Sequence, residues 1–219
     1  MKNGNDYIPA LHYRWLTPWY DAFVQRLLPE ASIQAALIAQ ARIQSGQCVL
    51  DVGCGSGTLA LLMKHTHPDV DVHGLDVDQQ ILDITRNKAQ QAGVILVLQP
   101  GTATHLPYPT ESFDRVFSTL MLHHLKRREK RQALAEIYRV LKPGGELHVA
   151  DFAKPNDMAM WLISLVIRWA EEAHDNIVGL LPVFMSEAGF RPVEETFRYR
   201  TVFGTLALYK ACKSAEGVQ

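Results

Sequence analysis

Apolar and polar positions alternate with two different periods along the centre of the chain. Short apolar or alternating runs predict strands, whereas apolar residues spaced three and four apart predict helices. Strands are expected at 47–52, 70–76, 94–98, 113–119 and 146–151. Helices are expected at 57–66, 78–91 and 128–141. Strands that alternate with helices are typical of an α/β fold with a parallel sheet and helices on both faces.

The C-terminal part of the chain follows a different pattern. A helix is expected to end at Gly189, and two β-rich runs follow it at 191–199 and 201–209. So short a link between two strands permits only an antiparallel hairpin. We therefore predict a mostly parallel sheet that finishes in a C-terminal antiparallel hairpin.

Two segments with helical patterns lie outside these elements, at 7–43 and 155–185, and both are rich in large apolar side chains. Open α/β sheets bind ligands at the carboxyl ends of their strands, and the two segments can form a helical lid there. The alternative is that their side chains fill a hydrophobic core.

Length and charge exclude some classes of protein. A chain of 219 residues suits one α/β domain. Its 22 basic and 23 acidic residues leave a net charge of −1, so we expect no nucleic-acid partner. The basic residues of 126–131 are interpreted as a solvated loop and helix start.

Cysteine usage and hydropathy indicate the cellular compartment in which the protein is expected. The three cysteines have no metal-binding spacing and no even number for disulfides, which predicts a reducing cytoplasm and no metal site. The first residues lack the apolar core of a signal peptide, and the longest apolar run, Met158–Ile167, is about half of a bilayer span. We expect a cytoplasmic protein without stable membrane insertion. Peripheral membrane contact, and a monomeric or homodimeric state, stay open.

The most informative motif lies at 49–58, where a strand ends in Asp51 and three glycines follow at alternate positions. Glycine lets the backbone turn sharply and approach a ligand closely. Dinucleotide-binding loops read G-x-G-x-x-G, with an acid about twenty residues later. Here the acid comes first, which suits a ligand with a positive amino group better than a pyrophosphate. The loop therefore points to S-adenosylmethionine (SAM).

Three more residues near this loop have assignable chemistry. Asp76 closes the second strand, and its carboxylate can accept hydrogen bonds from both hydroxyls of a ribose. Asp78 is expected to cap the following helix. Cys54, within the glycine loop, is interpreted as a small tolerated residue and not as a nucleophile.

Four stretches between Val49 and Asp151 resemble a known family: VLDVGCGSGTLAL, GLDVD, LPYPTESFDRVFSTLMLHHL and EIYRVLKPGGELHVAD. The family is the class I SAM-dependent methyltransferases, in the branch of ubiquinone and menaquinone biosynthesis enzymes (methyltransferase type 11 like). The resemblance implies a Rossmann-like, seven-stranded sheet with one antiparallel strand. We expect a single domain, 1–219, divided into an N-terminal helical lid (7–43), a cofactor-binding core (44–151), a helical insertion (155–185) and a C-terminal helix end with hairpin (186–211).

The resemblance also implies which residues bind the cofactor. Asp51, Gly53, Gly55 and Gly57 would hold the methionine part of SAM, with Cys54 in the same loop, and Asp51 would place the ammonium group. Asp76 would bind the ribose hydroxyls. The other expected contacts are Val77, Thr102 and Ala103 around the adenine, Ser118, Thr119 and Leu120 beside the methionine, and Tyr20 closing over the cofactor.

Thr102 departs from the family pattern, because relatives usually have an acid at this position. A threonine hydroxyl can accept a hydrogen bond from the adenine amino group, but without charge assistance that bond is weaker. We expect moderately weaker SAM binding, not its loss.

Methyl transfer from SAM is an in-line displacement at a sulfonium, which mainly requires alignment of the acceptor and exclusion of water. A neutral hydroxyl or a protonated amine acceptor also requires a base. His123 and His124 follow the fourth strand, and in relatives a histidine of this pair can be that base. Asp151 can orient it. The alternative is that one histidine caps a helix or fills the core.

The leading hypothesis is transfer to a small, apolar or aromatic acceptor, since the expected lid is rich in Tyr, Trp and Met. A quinone precursor or a phospholipid head group at a membrane surface stays open. So does a non-catalytic SAM-binding protein. The position of Asp51 argues against an NAD-dependent oxidoreductase.

Overall fold

The structure is a computed structural model that describes residues 30–170 and 172–215. The helices are α1 (Glu30–Ala41), α2 (Thr58–Thr66), α3 (Gln79–Gln91), α4 (Arg127–Val140), α5 (Met158–Ala170), α6 (His174–Ile177) and α7 (Leu181–Glu187). The strands are β1 (Cys48–Val52), β2 (Asp71–Asp76), β3 (Val97–Pro100), β4 (Phe113–Thr119), β5 (Leu141–Phe152), β6 (Val193–Thr201) and β7 (Gly204–Cys212). A 3₁₀ turn, Leu122–His124, follows β4. Tyr20 and most of the expected N-terminal lid lie outside the described residues.

All seven strands form one sheet in the order β3-β2-β1-β4-β5-β7-β6. Strands β1 to β5 pair in parallel, and β7 pairs antiparallel with both β5 and β6. The predicted α/β class, the mostly parallel sheet, the single antiparallel strand and the C-terminal hairpin are therefore confirmed.

Two hydrophobic cores lie on opposite faces of the sheet. Val49 and Leu50 are successive residues of β1, and each is fully buried in a different core. One core includes Leu37 of α1 and Met63 of α2, and the other includes Ile137 of α4. A parallel sheet that is covered on both faces reads as a continuous apolar strand, which explains the VLDV pattern.

Three predicted boundaries are wrong. The third strand begins at Val97 instead of Val94, and Ile95 is 81% exposed, so the apolar run there does not mark a buried strand. The fifth strand begins at Leu141 and runs through the Pro-Gly-Gly segment. The hairpin turn lies two to three residues later than expected, because Gly204 supplies a φ of 114° and the Thr201 hydroxyl accepts from the Phe203 N–H.

The insertion between β5 and β6 lies close to the carboxyl end of β5. Helix α5 packs against β7 and α6, and α6 packs against β5 and the 3₁₀ turn. Within 30–170 and 172–215, no helix combines the length and apolarity that a bilayer crossing demands.

Candidate active site

The glycine loop after β1 has an unusual backbone that only glycine adopts readily. Gly53, Gly55 and Gly57 have φ values of 74°, 51° and 76°. The N–H groups of Gly53 and Cys54 both donate to the Leu75 carbonyl, at 2.8 and 3.0 Å. These bonds fix the loop against the end of β2.

The three glycines differ in what surrounds them. A Cβ on Gly53 would lie 2.9 Å from Cβ of Met121, and one on Gly57 would lie 3.2 Å from Cβ of Thr85. A Cβ on Gly55 would meet no atom of the described residues within 4 Å. Packing within the protein therefore requires Gly53 and Gly57, whereas the space beside Gly55 is open to a ligand.

Asp51 is a buried carboxyl group at the end of β1, with only 2% of the residue exposed. Burial, and then the negative charge of Asp76, raise its pKa from 3.8 to about 7. A buried carboxylate is costly unless a cation accompanies it. The position therefore favours a positively charged ligand group.

Asp76 connects the glycine loop with the start of α3. Its Oδ2 accepts the Gly55 N–H at 2.9 Å, and its Oδ1 accepts the Asp78 N–H at 3.0 Å. Each carboxylate oxygen keeps a further lone pair for a ligand hydroxyl. Asp78 caps α3 by accepting the Gln80 N–H at 2.8 Å, as predicted.

The side chains near the expected adenine position differ in exposure. Val77, directly after Asp76, is 44% exposed and so offers an apolar surface to a ligand. Thr102 lies 3.2 Å from Thr104, measured between the hydroxyl oxygens. Ala103 packs into a hydrophobic core, so only its backbone can face a ligand.

The carboxyl end of β4 carries two hydroxyls that have no hydrogen-bond partner among the described residues. Oγ of Ser118 and Oγ1 of Thr119 are both buried. Leu120 follows with a φ of 51°, which is a strained conformation for a non-glycine residue. Buried polar groups normally have partners, so these hydroxyls mark a place where a ligand can supply them.

The 3₁₀ turn brings His123 to Asp151, and both residues are buried. Nδ1 of His123 lies 2.9 Å from Oδ1 of Asp151, and the His123 backbone N–H donates to Oδ2 at 3.3 Å. Burial raises the pKa of Asp151, but the charge and the hydrogen bond of His123 outweigh it and hold this pKa below its usual value. An ionised Asp151 keeps the proton on Nδ1, which directs the lone pair of a neutral ring to Nε2.

His124 lies beside this pair with a different environment. Its side chain is exposed, and its ring centroid lies 4.0 Å from that of His123. The structure thus brings His123 and Asp151 together as predicted and leaves His124 at the surface.

The thiol of Cys54 is a poor nucleophile. Burial, and then the charge of Asp51, raise its pKa well above the ordinary value. A thiol that stays protonated is unreactive. The geometry therefore agrees with the interpretation of Cys54 as a small buried residue.

Lys130 corrects the interpretation of 126–131 as wholly solvated. It is fully buried, and its ammonium donates to the carbonyls of Leu125 and, at 2.8 Å, Glu172. Burial lowers its pKa. The helical spacing from Lys130 to Ala133, Leu134 and Ile137 is the sequence signal that could have placed it on the buried face.

Two further polar residues near the 3₁₀ turn, Asp175 and Asn176, escaped the sequence analysis. The Arg127 guanidinium donates from Nε to Asp175 of α6 at 3.0 Å. Asn176 is fully buried, and within 30–170 and 172–215 neither its amide nitrogen nor its amide oxygen has a hydrogen-bond partner. No pattern in the sequence distinguishes this asparagine from a surface residue.

Comparison with known proteins agrees with this geometry. Residues 49–145 match a methyltransferase domain family. A demethylmenaquinone methyltransferase of Deinococcus radiodurans is 35% identical over 142 residues, which are 64% of this chain and 58% of that protein. The ubiquinone/menaquinone biosynthesis C-methyltransferase UbiE of Bordetella avium is 34% identical over 179 residues, which are 80% of this chain and 66% of that protein. The chain thus matches less than two thirds of the length of either relative.

Solved structures share the fold at low sequence identity. The YcgJ protein of Bacillus subtilis has a TM-score of 0.70 at 18% identity, over 85% of this chain and all of that one. The [4+2]-cyclase SpnF has a TM-score of 0.68 at 21% identity, over 84% and 81%. A Haemonchus contortus phosphoethanolamine N-methyltransferase in complex with SAM has a TM-score of 0.66 at 16% identity, over 83% and 52%.

These relatives confirm the family, the enzyme class and the cofactor that the motifs predicted. The matched domain covers the glycine loop, Asp76 and the 3₁₀ turn that carries His123 and His124. The solved structures share the overall fold in which those motifs lie. Residues 49–145 therefore form a methyltransferase domain, and the chain is similar to enzymes of the S-adenosylmethionine-dependent methyltransferase family, whose cofactor is S-adenosylmethionine.

Proposed function

We propose that the chain transfers the methyl group of SAM to a small aromatic acceptor that carries an ionisable hydroxyl, as quinone precursors do. The observation that carries the proposal is the buried pair of His123 and Asp151, directly after β4. The pair lies at the carboxyl edge of the sheet, to which the glycine loop after β1 also belongs. A base and a methyl donor site at one edge suit transfer to a weakly acidic hydroxyl compound.

The proposed cofactor contacts follow from the geometry of the loop. The Asp51 carboxylate binds the ammonium of SAM, since burial makes an unpaired charge there unfavourable. The open space beside Gly55 accommodates the methionine part. Asp76 accepts the ribose hydroxyls, and the exposed Val77 packs on the adenine. The buried hydroxyls of Ser118 and Thr119 gain partners when the cofactor binds.

The proposed reaction needs little covalent chemistry from the protein. Nε2 of His123 takes the proton of the acceptor hydroxyl while Asp151 holds Nδ1. The oxygen, or the ring carbon to which its electrons are delocalised, attacks the methyl carbon as the carbon–sulfur bond breaks. After attack by the ring carbon, the hydrogen on that carbon leaves as a proton to solvent and the protonated His123 returns its proton to the oxygen, which restores the aromatic ring. S-adenosylhomocysteine leaves as a neutral thioether. Alignment of the two reactants supplies up to about 7–11 kcal/mol in well-oriented reactions.

Two observations support an apolar aromatic acceptor. Helix α5, beside the start of β7, exposes Met158, Trp161 and Leu162, so an apolar ring or tail has a surface on which to lie. The buried amide of Asn176, whose helix α6 packs against the 3₁₀ turn, is available to an acceptor oxygen. The two relatives described above are quinone methyltransferases by name, which favours quinone precursors within this class.

The acceptor class is tested with methyl-labelled SAM and three parallel acceptors: a reduced demethylnaphthoquinone, phosphoethanolamine and a plain aliphatic alcohol. We expect label to enter the quinol, and mass spectrometry of the product to show one methyl group in place of hydrogen. Label in phosphoethanolamine alone would contradict the proposal.

The same experiment separates the remaining alternatives. If SAM binds but label leaves it with none of the acceptors, a non-catalytic SAM-binding role explains the chain better. Titration with NAD in place of SAM provides the second comparison, and we expect no binding, because Asp51 would lie beside the pyrophosphate.

A further inference from the structure

Three side chains with metal-binding chemistry lie together at the amino edge of the sheet. Cys48 is the first residue of β1, Asp71 is the first residue of β2, and the strand register pairs these two residues. His73 lies two residues further along β2, so its side chain projects from the same face as that of Asp71. The glycine loop and the His123–Asp151 pair lie at the opposite, carboxyl edge.

One potential ligand atom from each of Cys48, Asp71 and His73 lies within 4.8 Å of the others. Nε2 of His73 and Oδ2 of Asp71 are 3.2 Å apart. In a tetrahedral zinc site with bonds of roughly 2.0–2.1 Å, two such ligands are separated by about 3.3 Å. The His–Asp pair therefore already has the spacing that a shared metal ion requires.

We propose that Cys48, Asp71 and His73 bind one divalent metal ion of the zinc type, with solvent as the fourth ligand. Thiolate and imidazole ligands select zinc-like ions over magnesium and calcium, which prefer oxygen ligands. The side chain of Asp71 is 64% exposed, which leaves a path for the ion and a place for bound water. The thiolate and the carboxylate together neutralise a divalent ion.

The thiol of Cys48 must lose its proton before the sulfur can bind a metal ion. Burial, and then the negative charge of Asp71, raise the pKa of its thiol to about 11. Without a cation the thiol therefore stays protonated at neutral pH. Metal binding replaces the S–H bond with a metal–sulfur bond and releases one proton to solvent.

The surroundings of His73 leave Nε2 as the ligand atom. Nδ1 of His73 is buried and has no hydrogen-bond partner in the part of the chain that the structure describes. The ring is held edge-on by Tyr108 and Phe113, at centroid distances of 5.9 and 5.2 Å. The ring orientation that a metal ligand needs is thus fixed by packing.

Lys142, a cation near Cys48, is already paired. The Lys142 ammonium lies 2.8 Å from Oδ2 of Asp114, and the same oxygen accepts the Cys48 backbone N–H at 2.9 Å. Asp114 thereby offsets the charge of Lys142, so the repulsion between Lys142 and a bound metal ion is small. The ion would join β1 to β2 at the edge remote from the proposed chemistry, which is a structural role.

The test is a titration of the untagged, reduced and metal-free full chain with Co²⁺, followed by displacement with Zn²⁺. We expect a thiolate-to-cobalt charge-transfer band that saturates at one ion per chain and disappears when Zn²⁺ is added. Cys48→Ser should remove the band. Asp71→Asn should weaken metal binding by more than about tenfold, the scale on which metal sites respond to altered ligand surroundings.

Two matched variants serve as controls. Cys212 is also half-buried, and Asp69 is an exposed acid in the turn before β2, so Cys212→Ser and Asp69→Asn should bind metal like the unmodified chain. Circular dichroism and SAM affinity show whether each variant is folded. The absence of the band, or its persistence in a folded Cys48→Ser variant, would overturn the proposal without affecting the proposed methyl transfer.

Discussion

Asp51 and Asp76 show how different two carboxyl groups of one site can be. Asp76 accepts two backbone N–H groups, whereas Asp51 is buried and its pKa is raised by burial and by Asp76. The folded chain therefore binds a proton at Asp51 that the unfolded chain has lost. The protein without cofactor should accordingly lose stability as pH rises from about 4 to about 7.

The same shift predicts how SAM affinity depends on pH. The ammonium of SAM requires an ionised Asp51, so the SAM affinity measured by calorimetry should rise between pH 5 and about pH 7, by up to about tenfold per pH unit, and then level off. Asp51→Asn should weaken binding by roughly 10- to 150-fold and remove the pH dependence. Asp78→Asn, which keeps a capping side chain, is the control. Equal affinities of the unmodified protein at pH 5 and pH 7 would contradict this role of Asp51.

Mutation can distinguish the roles of the two histidines of the 3₁₀ turn. His123 is buried and paired with Asp151, so His123→Ala should lower the rate of transfer to the quinol by roughly 10²–10⁴-fold. Asp151→Asn should also lower it, because the ring loses the group that holds its proton on Nδ1. His124→Ala should have the smaller effect, since this side chain is exposed. Turnover within about twofold of the unmodified enzyme in both histidine variants would exclude a base at this turn.

Replacement of Thr102 by aspartate is expected to increase the affinity for SAM. An aspartate at this position would accept a charge-assisted hydrogen bond from the adenine amino group, so Thr102→Asp should raise SAM affinity by about fivefold. Thr104→Asp places the same charge on the neighbouring hydroxyl position and should not do so. An unchanged or lower affinity of Thr102→Asp would show that the loop at 101–103 has been misinterpreted.

At the scale of elements, the glycine loop and α3 depend on each other. Gly57 lies against Thr85 of α3, and the Thr85 hydroxyl donates to the Gly55 carbonyl at 2.9 Å. The first contact requires that Gly57 has no side chain, and the second requires the hydroxyl of Thr85. The loop is thereby held in place from the helix as well as from β2.

The packing of Gly57 against Thr85 predicts different phenotypes for the alanine variants of Gly55 and Gly57. Gly55→Ala should lower the free energy of unfolding by only about 1–2 kcal/mol, the cost of a left-handed backbone, and yet weaken SAM binding. Gly57→Ala adds overpacking against Thr85 and should cost about 1–3 kcal/mol more in urea unfolding. Thr85→Ser, which keeps the hydroxyl and removes the crowded methyl, should restore part of that loss. Equal stability of the two glycine variants would contradict the packing argument.

The elements also show which parts of a fold can be predicted from a sequence. Helix α3 was placed closely because Asp78 caps it and Gly93 follows its end. Strand β3 was misplaced because Val94 and Ile95 are apolar but lie before the strand, partly or largely exposed. Apolar runs report burial only where another element covers them, and that cover is not encoded locally.

At the scale of the whole molecule, the cofactor motifs were recognisable because each occupies one short stretch. Lys130, Asn176 and the cluster of Cys48, Asp71 and His73 were not, since their surroundings come from elements distant in the chain. The Lys130 ammonium, for example, donates to the carbonyl of Glu172, more than forty residues away in the segment before α6. Cys48 meets Asp71 only through the register of β1 and β2.

For the molecule as a whole, we propose that a SAM site and a histidine base lie at one edge of the sheet and together transfer a methyl group. The most direct measurement is a single-turnover experiment. The complex of the chain with methyl-labelled SAM is mixed with a reduced demethylnaphthoquinone, and both products are quantified. The account predicts equal amounts of labelled quinol and S-adenosylhomocysteine, with formation strongly slowed in His123→Ala. Label that remains in SAM while both ligands are bound would contradict it.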